Sequence, residues 1–338
     1  MVTQSVSLRI LLALAVIIIP LWCVLLLSSP QLFGFDFFPL YFAALRIREG
    51  LSPYGVQATA ALQEVWKAPF GAAGVAYPLP LIQLIVPLTV LPFGLATSLW
   101  ISLGTVFALR AVQLQEDWQQ HALIPFLFLP FHRCVLLGQA TLVWFGLAVA
   151  LIFAIRERKP RLVAILAVLL LLKPQNGLVF AVLGLIWLVR SAPRALLWAG
   201  SLSLALLGVA FALQPSWLTE WIAQVELYQQ AVTPPSLLPL GLFVVLACMR
   251  LPWWAIAASA QVVLFPLSDV YSMLPLLLCW IAIGGPLGML GAAISWVWSL
   301  MGLPNTLNVL WIMMLWPLMI AAVWRSWIAP YLQQHSKH

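Results

Sequence analysis

The chain has 338 residues, 64% of them from the apolar set Ala, Val, Ile, Leu, Met, Phe, Trp, Tyr and Cys and only 7% charged, where a soluble domain carries about a quarter charged residues. That balance excludes an ordinary water-soluble domain and predicts an all-α integral membrane protein. The net charge of +7 is spread too thinly along the chain to make a basic patch, so nucleic acid is excluded as a partner.

The first apolar run, Leu8 to Leu27 with Arg9 at its start, is twenty residues long. That is longer than a signal-peptide core, and no small-x-small cleavage site follows, so it is expected to stay as the first transmembrane helix, 8–27. Residues 28–93 are expected to form a long extracytoplasmic catalytic loop. Its polar part, Ser28 to Ala76, is rich in aromatics and Pro, and its last part, Tyr77 to Pro92, is broken by Pro78, Pro80, Pro87 and Pro92. Apolar runs then follow in quick succession at 94–112, 121–137, 139–155, 162–172, 176–190, 195–213, 237–249, 252–266, 270–284, 286–300 and 306–324. Together they predict a bundle of about 10–12 transmembrane helices over 94–324, with a cytoplasmic tail at 325–338. Several runs are shorter than the ~20 residues of a full crossing, the mark of tilted or broken helices lining a cavity.

Orientation rests on the positive-inside rule. The loops Arg156-Glu157-Arg158-Lys159-Pro160-Arg161 and Arg190-Ser191-Ala192-Pro193-Arg194 are the densest basic clusters and are expected to be cytoplasmic. Arg110, Arg250 and Arg325 then join them, provided that Tyr77 to Pro92 dips in from the outer face without crossing. The split is eleven basic and three acidic residues inside against five basic and six acidic outside.

Few outer polar residues remain. Asp36, a lone carboxylate in Phe33-Gly34-Phe35-Asp36-Phe37-Phe38-Pro39, is either the cap of a helix over Phe38 to Arg48 or a general base, whose pKa an apolar setting would raise. Lys173-Pro174-Gln175-Asn176 interrupts the apolar stretch from Leu162 to Val189. Eleven residues from Leu162 reach only about 16 Å, which leaves the ammonium in the outer half of the bilayer, where it needs a partner. Pro174 suits the first turn of the next helix, so Lys173 and that helix end make an anion pocket, most simply for phosphate; a snorkelling Lys is the alternative. Arg133, beside His132 and near Gly138-Gln139, is a second candidate phosphate ligand, with an interfacial cap as its alternative. His132 is expected to pack, and Asp269 to cap a helix with a sugar-hydroxyl contact as a second role. Tyr41, Tyr54 and Tyr77 lie in the long loop, where their rings could stack on sugars. The four Cys lie singly in apolar runs, without CxxC spacing or a His cluster, and are expected to be buried filler; neither a metal nor another cofactor is indicated.

These motifs, in order, are an acid opening a long outer loop, Gly50-Leu51-Ser52-Pro53-Tyr54, Tyr77-Pro78-Leu79-Pro80-Leu81 running to Leu91-Pro92-Phe93-Gly94, Gly138-Gln139 and Lys173-Pro174-Gln175. The arrangement resembles the GT-C class of polytopic glycosyltransferases, and within it glycosyltransferase family 87, the polyprenyl-phosphate-mannose-dependent α-mannosyltransferases. The resemblance covers about Ile10 to Arg194. It implies a multi-pass protein of a bacterial cell membrane, with its active site on the extracytoplasmic face. There a hexose, foremost mannose, would pass with inversion from a polyprenyl-phosphate donor to a hydroxyl of a glycolipid or glycan acceptor. Asp36 would be the base; Lys173, Arg133, Gln175 and Gln139 would hold the donor phosphate; Tyr41, Tyr54, Tyr77, His132 and Asp269 would contact sugar or acceptor. Where many GT-C enzymes carry a second acid close to the first, this chain has Phe37 and Phe38, so a metal-bound diphosphate donor is not implied. The competing class is a transporter or flippase of a lipid-linked or anionic substrate, supported by the Pro-broken helices and the buried Lys, though the halves show no two-fold repeat.

Overall fold

The computed structural model describes residues 34–65, 74–231, 235–267, 269–302 and 306–335. The expected first helix at 8–27, with Cys23, lies outside the described residues. All regular structure among them is helical. In the expected outer loop these are α1 (Phe38–Arg48), α2 (Gly55–Val65) and α3 (Leu79–Ile85), the last continuing as a 3-10 turn over Val86–Val90. There follow α4 (Phe93–Leu109), α5 (Ile124–Leu127), α6 (Leu129–Leu137), α7 (Ala140–Arg156), α8 (Pro160–Leu171), α9 (Pro174–Ser191) and α10 (Leu196–Leu213). The second half holds α11 (Trp217–Ala231), α12 (Leu242–Cys248), α13 (Trp253–Leu264), α14 (Leu277–Ile283), α15 (Gly285–Leu300), α16 (Leu307–Leu310), α17 (Trp316–Val323) and α18 (Ala329–His335).

Among the described residues three stretches, Phe93–Leu114, Pro193–Leu213 and Leu307–Leu332, are long and apolar enough to cross a membrane, and the pair Trp118–Leu127 and Leu129–Leu137, bent by 59°, makes a fourth if it is one broken span rather than a re-entrant loop. This is the architecture of an all-α membrane protein. The sequence runs called for ten to twelve spans, but most of the remaining apolar helices reach only 12 to 17 residues. Proline is the reason. It stands in the first or second position of α1, α3, α5, α6, α8, α9, α15 and α17, where its missing N–H costs nothing and its fixed φ starts a new helix. Leu79–Val90, at about 18 Å, falls well short of the ~30 Å hydrocarbon core, as do Pro160–Leu171 and Trp253–Leu264 of the same length.

The bend at Phe128 shows how a break is made good inside the protein. Pro130 has no N–H to give the Phe126 carbonyl, and His132 Nε2 donates to that carbonyl instead at 2.8 Å. The Leu129 N–H, freed by the extended Phe128, donates to Ser295 Oγ at 2.9 Å. The polar groups that lipid could not satisfy are thus met by side chains.

Contacts sort the helix ends into two groups. At one end the Arg110 guanidinium lies 4.8 Å over the Phe153 ring, Arg156 donates to the Leu114 carbonyl, Gln115 donates to the Ile281 carbonyl, and Arg250 stacks 3.5 Å over Trp327. At the other, Gln139 meets Asp36, Asn176 donates to Thr141, Gln261 donates to the Pro174 carbonyl, and Arg133 meets Asp269. Glu220 and Glu226 sit on the helix α11.

Candidate functional site

The site begins with two glycines. Gly138 ends α6 in the left-handed region (φ 64°), and the Gln139 N–H turns back to the Cys134 carbonyl at 2.9 Å, an orderly helix stop. A Cβ at Gly138 would stand 3.0 Å from the Gly34 Cα and 3.2 Å from the Phe37 Cβ. Only glycine lets the 34–37 turn approach this closely. The turn is pinned there by the Asp36 N–H, which donates to the Leu137 carbonyl at 2.9 Å.

That docking brings Gln139 Nε2 to Asp36 Oδ2 at 2.7 Å. The Asp36 side chain does not cap α1: the N-cap is Phe37, without a side-chain cap bond. The carboxyl is raised from its ordinary 3.8 to about 6, chiefly by burial; the Gln139 hydrogen bond and Lys173 pull it down, Asp269 pushes it up, and Arg133 lowers it slightly. The four residues singled out from the sequence at separate positions, Asp36, Arg133, Lys173 and Asp269, thus act on one another.

Lys173 is the N-cap of α9 and is only 6% exposed. Among the described residues no carboxylate lies within 4 Å of its ammonium, which instead sits 5.4 Å from the centre of the Tyr77 ring. Behind it Gln261, itself buried, donates to the Pro174 and Gln175 carbonyls and accepts from the Val179 N–H at 2.9 Å. This amide bridges the Gln175 carbonyl and Val179 N–H that an uninterrupted helical ladder would join, and so holds the start of α9 in place. Gln175 itself is exposed, with its carbonyl engaged by Gln261.

Arg133 Nε reaches Asp269 Oδ2 at 3.3 Å. Asp269 also accepts from the Val270 N–H at 2.6 Å and so caps the following 3-10 helix as expected. His132 packs as expected, between Phe131 and Trp296. Two of the three loop tyrosines are not open faces. Tyr41 is buried against Phe37 and Phe93 and donates to the Leu91 carbonyl at 2.7 Å; Tyr54 is buried and donates to the Tyr77 carbonyl at 2.8 Å. Tyr77 alone lies at the site, its phenol pushed up by burial, by Asp36 and by Tyr228.

Tyr228 was missed. It lies on α11, close enough to Asp36 that the carboxylate adds to the upward push of burial on its phenol. The spacing Trp217, Trp221, Gln224, Tyr228, at steps of four, three and four, is the helical stripe that could have found it. Along this stripe Trp221 Nε1 donates to the Ala76 carbonyl at 3.1 Å and Gln224 Oε1 accepts from the Gly55 N–H at 3.3 Å. One turn away, burial pushes the Glu220 carboxyl up, but hydrogen bonds from Ser216, Ser52 and Gln214 outweigh it and hold the group below its ordinary value. α11 therefore clamps the segment that carries Tyr54 and Tyr77 over Lys173.

Among the described residues no three His, Cys, Asp or Glu side chains converge as metal ligands would; Cys134, Cys248 and Cys279 are buried free thiols. The arrangement can accept a proton at Asp36 and attract an anion at Lys173. Compared with family models, curated proteins and solved structures, the chain matches none.

Proposed function

We propose that this chain is a GT-C-type membrane glycosyltransferase, which moves a hexose, most simply mannose, from a polyprenyl-phosphate donor to a glycolipid or glycan hydroxyl on the extracytoplasmic face. The observation that carries the proposal is the meeting of a half-buried carboxylate, Asp36, with a buried ammonium, Lys173, that has no carboxylate partner among the described residues. A cation at membrane depth costs on the order of 2.5 to 3.5 kcal/mol near the centre; Asp36 offsets part of this through space, and an anionic ligand would offset more. The order of motifs, which resembles that of family 87, is the second support.

Asp36, held by Gln139, takes the proton of the acceptor hydroxyl as its oxygen attacks the anomeric carbon. The bond from that carbon to the phosphate oxygen breaks, and the electron pair leaves with polyprenyl phosphate. Lys173, with Arg133 nearby, stabilises the charge that develops on the leaving phosphate, where electrostatic catalysis is strongest. A carboxyl titrating near 6 is ionised at neutral pH yet more basic than an ordinary aspartate.

The test is to incubate the purified protein with a panel of polyprenyl-phosphate sugars and measure released polyprenyl phosphate. Lys173→Met should weaken donor binding at least tenfold and spare acceptor binding, and Arg133→Lys should also be harmful because a point ammonium cannot replace the guanidinium fork. The bent pair around Phe128 and the same buried Lys also suit a transporter or flippase. Uptake or flipping of an anionic lipid without release of polyprenyl phosphate, or unchanged donor affinity in both folded variants, would move the assignment to that class.

A further inference from the structure

The end of the molecule away from Asp36 carries a second concave site. Pro160, Arg161, Pro193, Arg194 and Trp198 line a cavity of about 430 Å³ between the starts of α8 and α10. Both guanidinium groups belong to exposed residues, and among the described residues neither has a carboxylate within 4 Å. Arg161 lies 5.2 Å over the Trp198 ring, which fixes it at the cavity wall. The acid nearest in sequence, Glu157, is taken by the Lys159 ammonium. Two cations thus face an opening with no anion of the protein's own.

The helix that starts at the cavity is the least buried of the three candidate spans among the described residues. The most apolar stretch of Pro193–Leu213 has a mean hydropathy of 2.1, and only 17% of it is buried. Leu197, Ser201, Leu204, Gly208 and Phe211 follow one another at steps of four and three, so they share one face of α10, and Arg194 lies in the 3-10 turn just before its start. Leu197 and Leu204 are each 73% exposed on that face. The face runs for about 20 Å from the two arginines, with Trp198 at its head, where an indole sits at a membrane interface.

We propose that this cleft binds the phosphate head group of an anionic phospholipid between Arg161 and Arg194, with the acyl chains along the exposed face of α10. A free anion would use the arginines and leave the apolar face idle; a neutral lipid would use the face and leave the arginines unpaired. An anionic phospholipid satisfies both, as basic pockets between membrane helices do. The site is independent of the chemistry at Asp36.

The experiment is titration of the purified full chain in detergent with phosphatidylglycerol or phosphatidylcholine, with bound lipid counted by native mass spectrometry. Phosphatidylglycerol should bind the wild type at least tenfold more tightly than R161Q/R194Q, the order of effect of two interfacial arginines. R158Q/R190Q, which removes two exposed charges that do not line the cavity, should stay within about twofold of wild type. Equal loss in the two double variants, or equal binding of the two lipids, would overturn the proposal. Displacement of the lipid by inorganic phosphate at matched concentration would reassign the cleft to a free anion, and loss of a dimer in R161Q/R194Q would reassign it to a second copy of the chain. If R161Q/R194Q does not fold, L204Q carries the test: a several-fold weaker hold on phosphatidylglycerol with both arginines present supports the site, and no change refutes it.

Discussion

Asp36 is a residue that the fold holds at a cost. Its folded value of about 6 lies above the unfolded 3.8, so the native state binds this proton more tightly. Ionising Asp36 therefore costs stability: nothing below about pH 4, and progressively more as the pH rises through 6, up to about 3 kcal/mol. Asp36→Asn should accordingly raise the melting temperature at pH 7.5, leave it nearly unchanged near pH 4, and cut transfer by about 10² or more. A variant that loses stability at pH 7.5 would mark Asp36 as structural. Gln139 makes the complementary case. Its hydrogen bond lowers the Asp36 pKa, so Gln139→Leu should move the acidic limb of kcat/KM, expected near pH 6, to higher pH. Loss of rate should then be greater at pH 6 than at pH 8, and a loss independent of pH would show that Gln139 only supports packing.

At the scale of elements, breaks matter more than helices. Gly138 is the break on which the site depends, because a methyl there would meet the Gly34 backbone and sit in an unfavourable left-handed conformation. Gly138→Ala should cost roughly 1 to 2 kcal/mol of stability and lower transfer at least tenfold, by pushing the 34–37 turn off α6. Gly55 also has a positive φ, 86°, but open space where a Cβ would go. Gly55→Ala should lose a comparable amount from its backbone and keep its activity. Equal loss of activity in the two variants, measured beside their melting curves, would mean that loosening of the fold and not loss of the close approach is responsible. α11 belongs to the same scale. Its polar and aromatic stripe is spent on the Ser52, Gly55 and Ala76 segments, while Trp217 on the same helix is buried in the core.

For the whole molecule, the grouping of Arg110, Arg156, Arg161, Arg194 and Arg250 at one end and Asp36, Arg133, Lys173 and Asp269 at the other has a direct consequence in a bilayer. A cysteine introduced at Gln57, on α2, should react with an impermeant thiol reagent in intact cells, and one at Ser191 only after permeabilisation, since buried Cys134, Cys248 and Cys279 contribute little background. Labelling of both from outside would undo the proposed sidedness and with it the proposed extracytoplasmic site.

The all-helical membrane class of the protein and the sites of its helix breaks were legible in the chain. Each is a local property: a bilayer forces every backbone group to be satisfied within its own helix, so apolar run length, Pro and basic loops report directly on where helices start and stop. Asp36, Arg133, Lys173 and Asp269 could be picked out for a related reason, because a charge in so apolar a chain stands out. Their mutual placement could not. That Asp36 bonds Gln139 rather than capping α1 depends on two glycines of different segments fitting against each other, and that Tyr41 and Tyr54 face inward depends on Phe93 and on α11. Tyr228 and Gln261 reach the site from far along the chain through helices whose lengths and bends set their depth. Such meetings are decided by packing between helices, to which a change of one residue in a turn or a few degrees in a bend matters, and no pattern confined to a single helix carries that information.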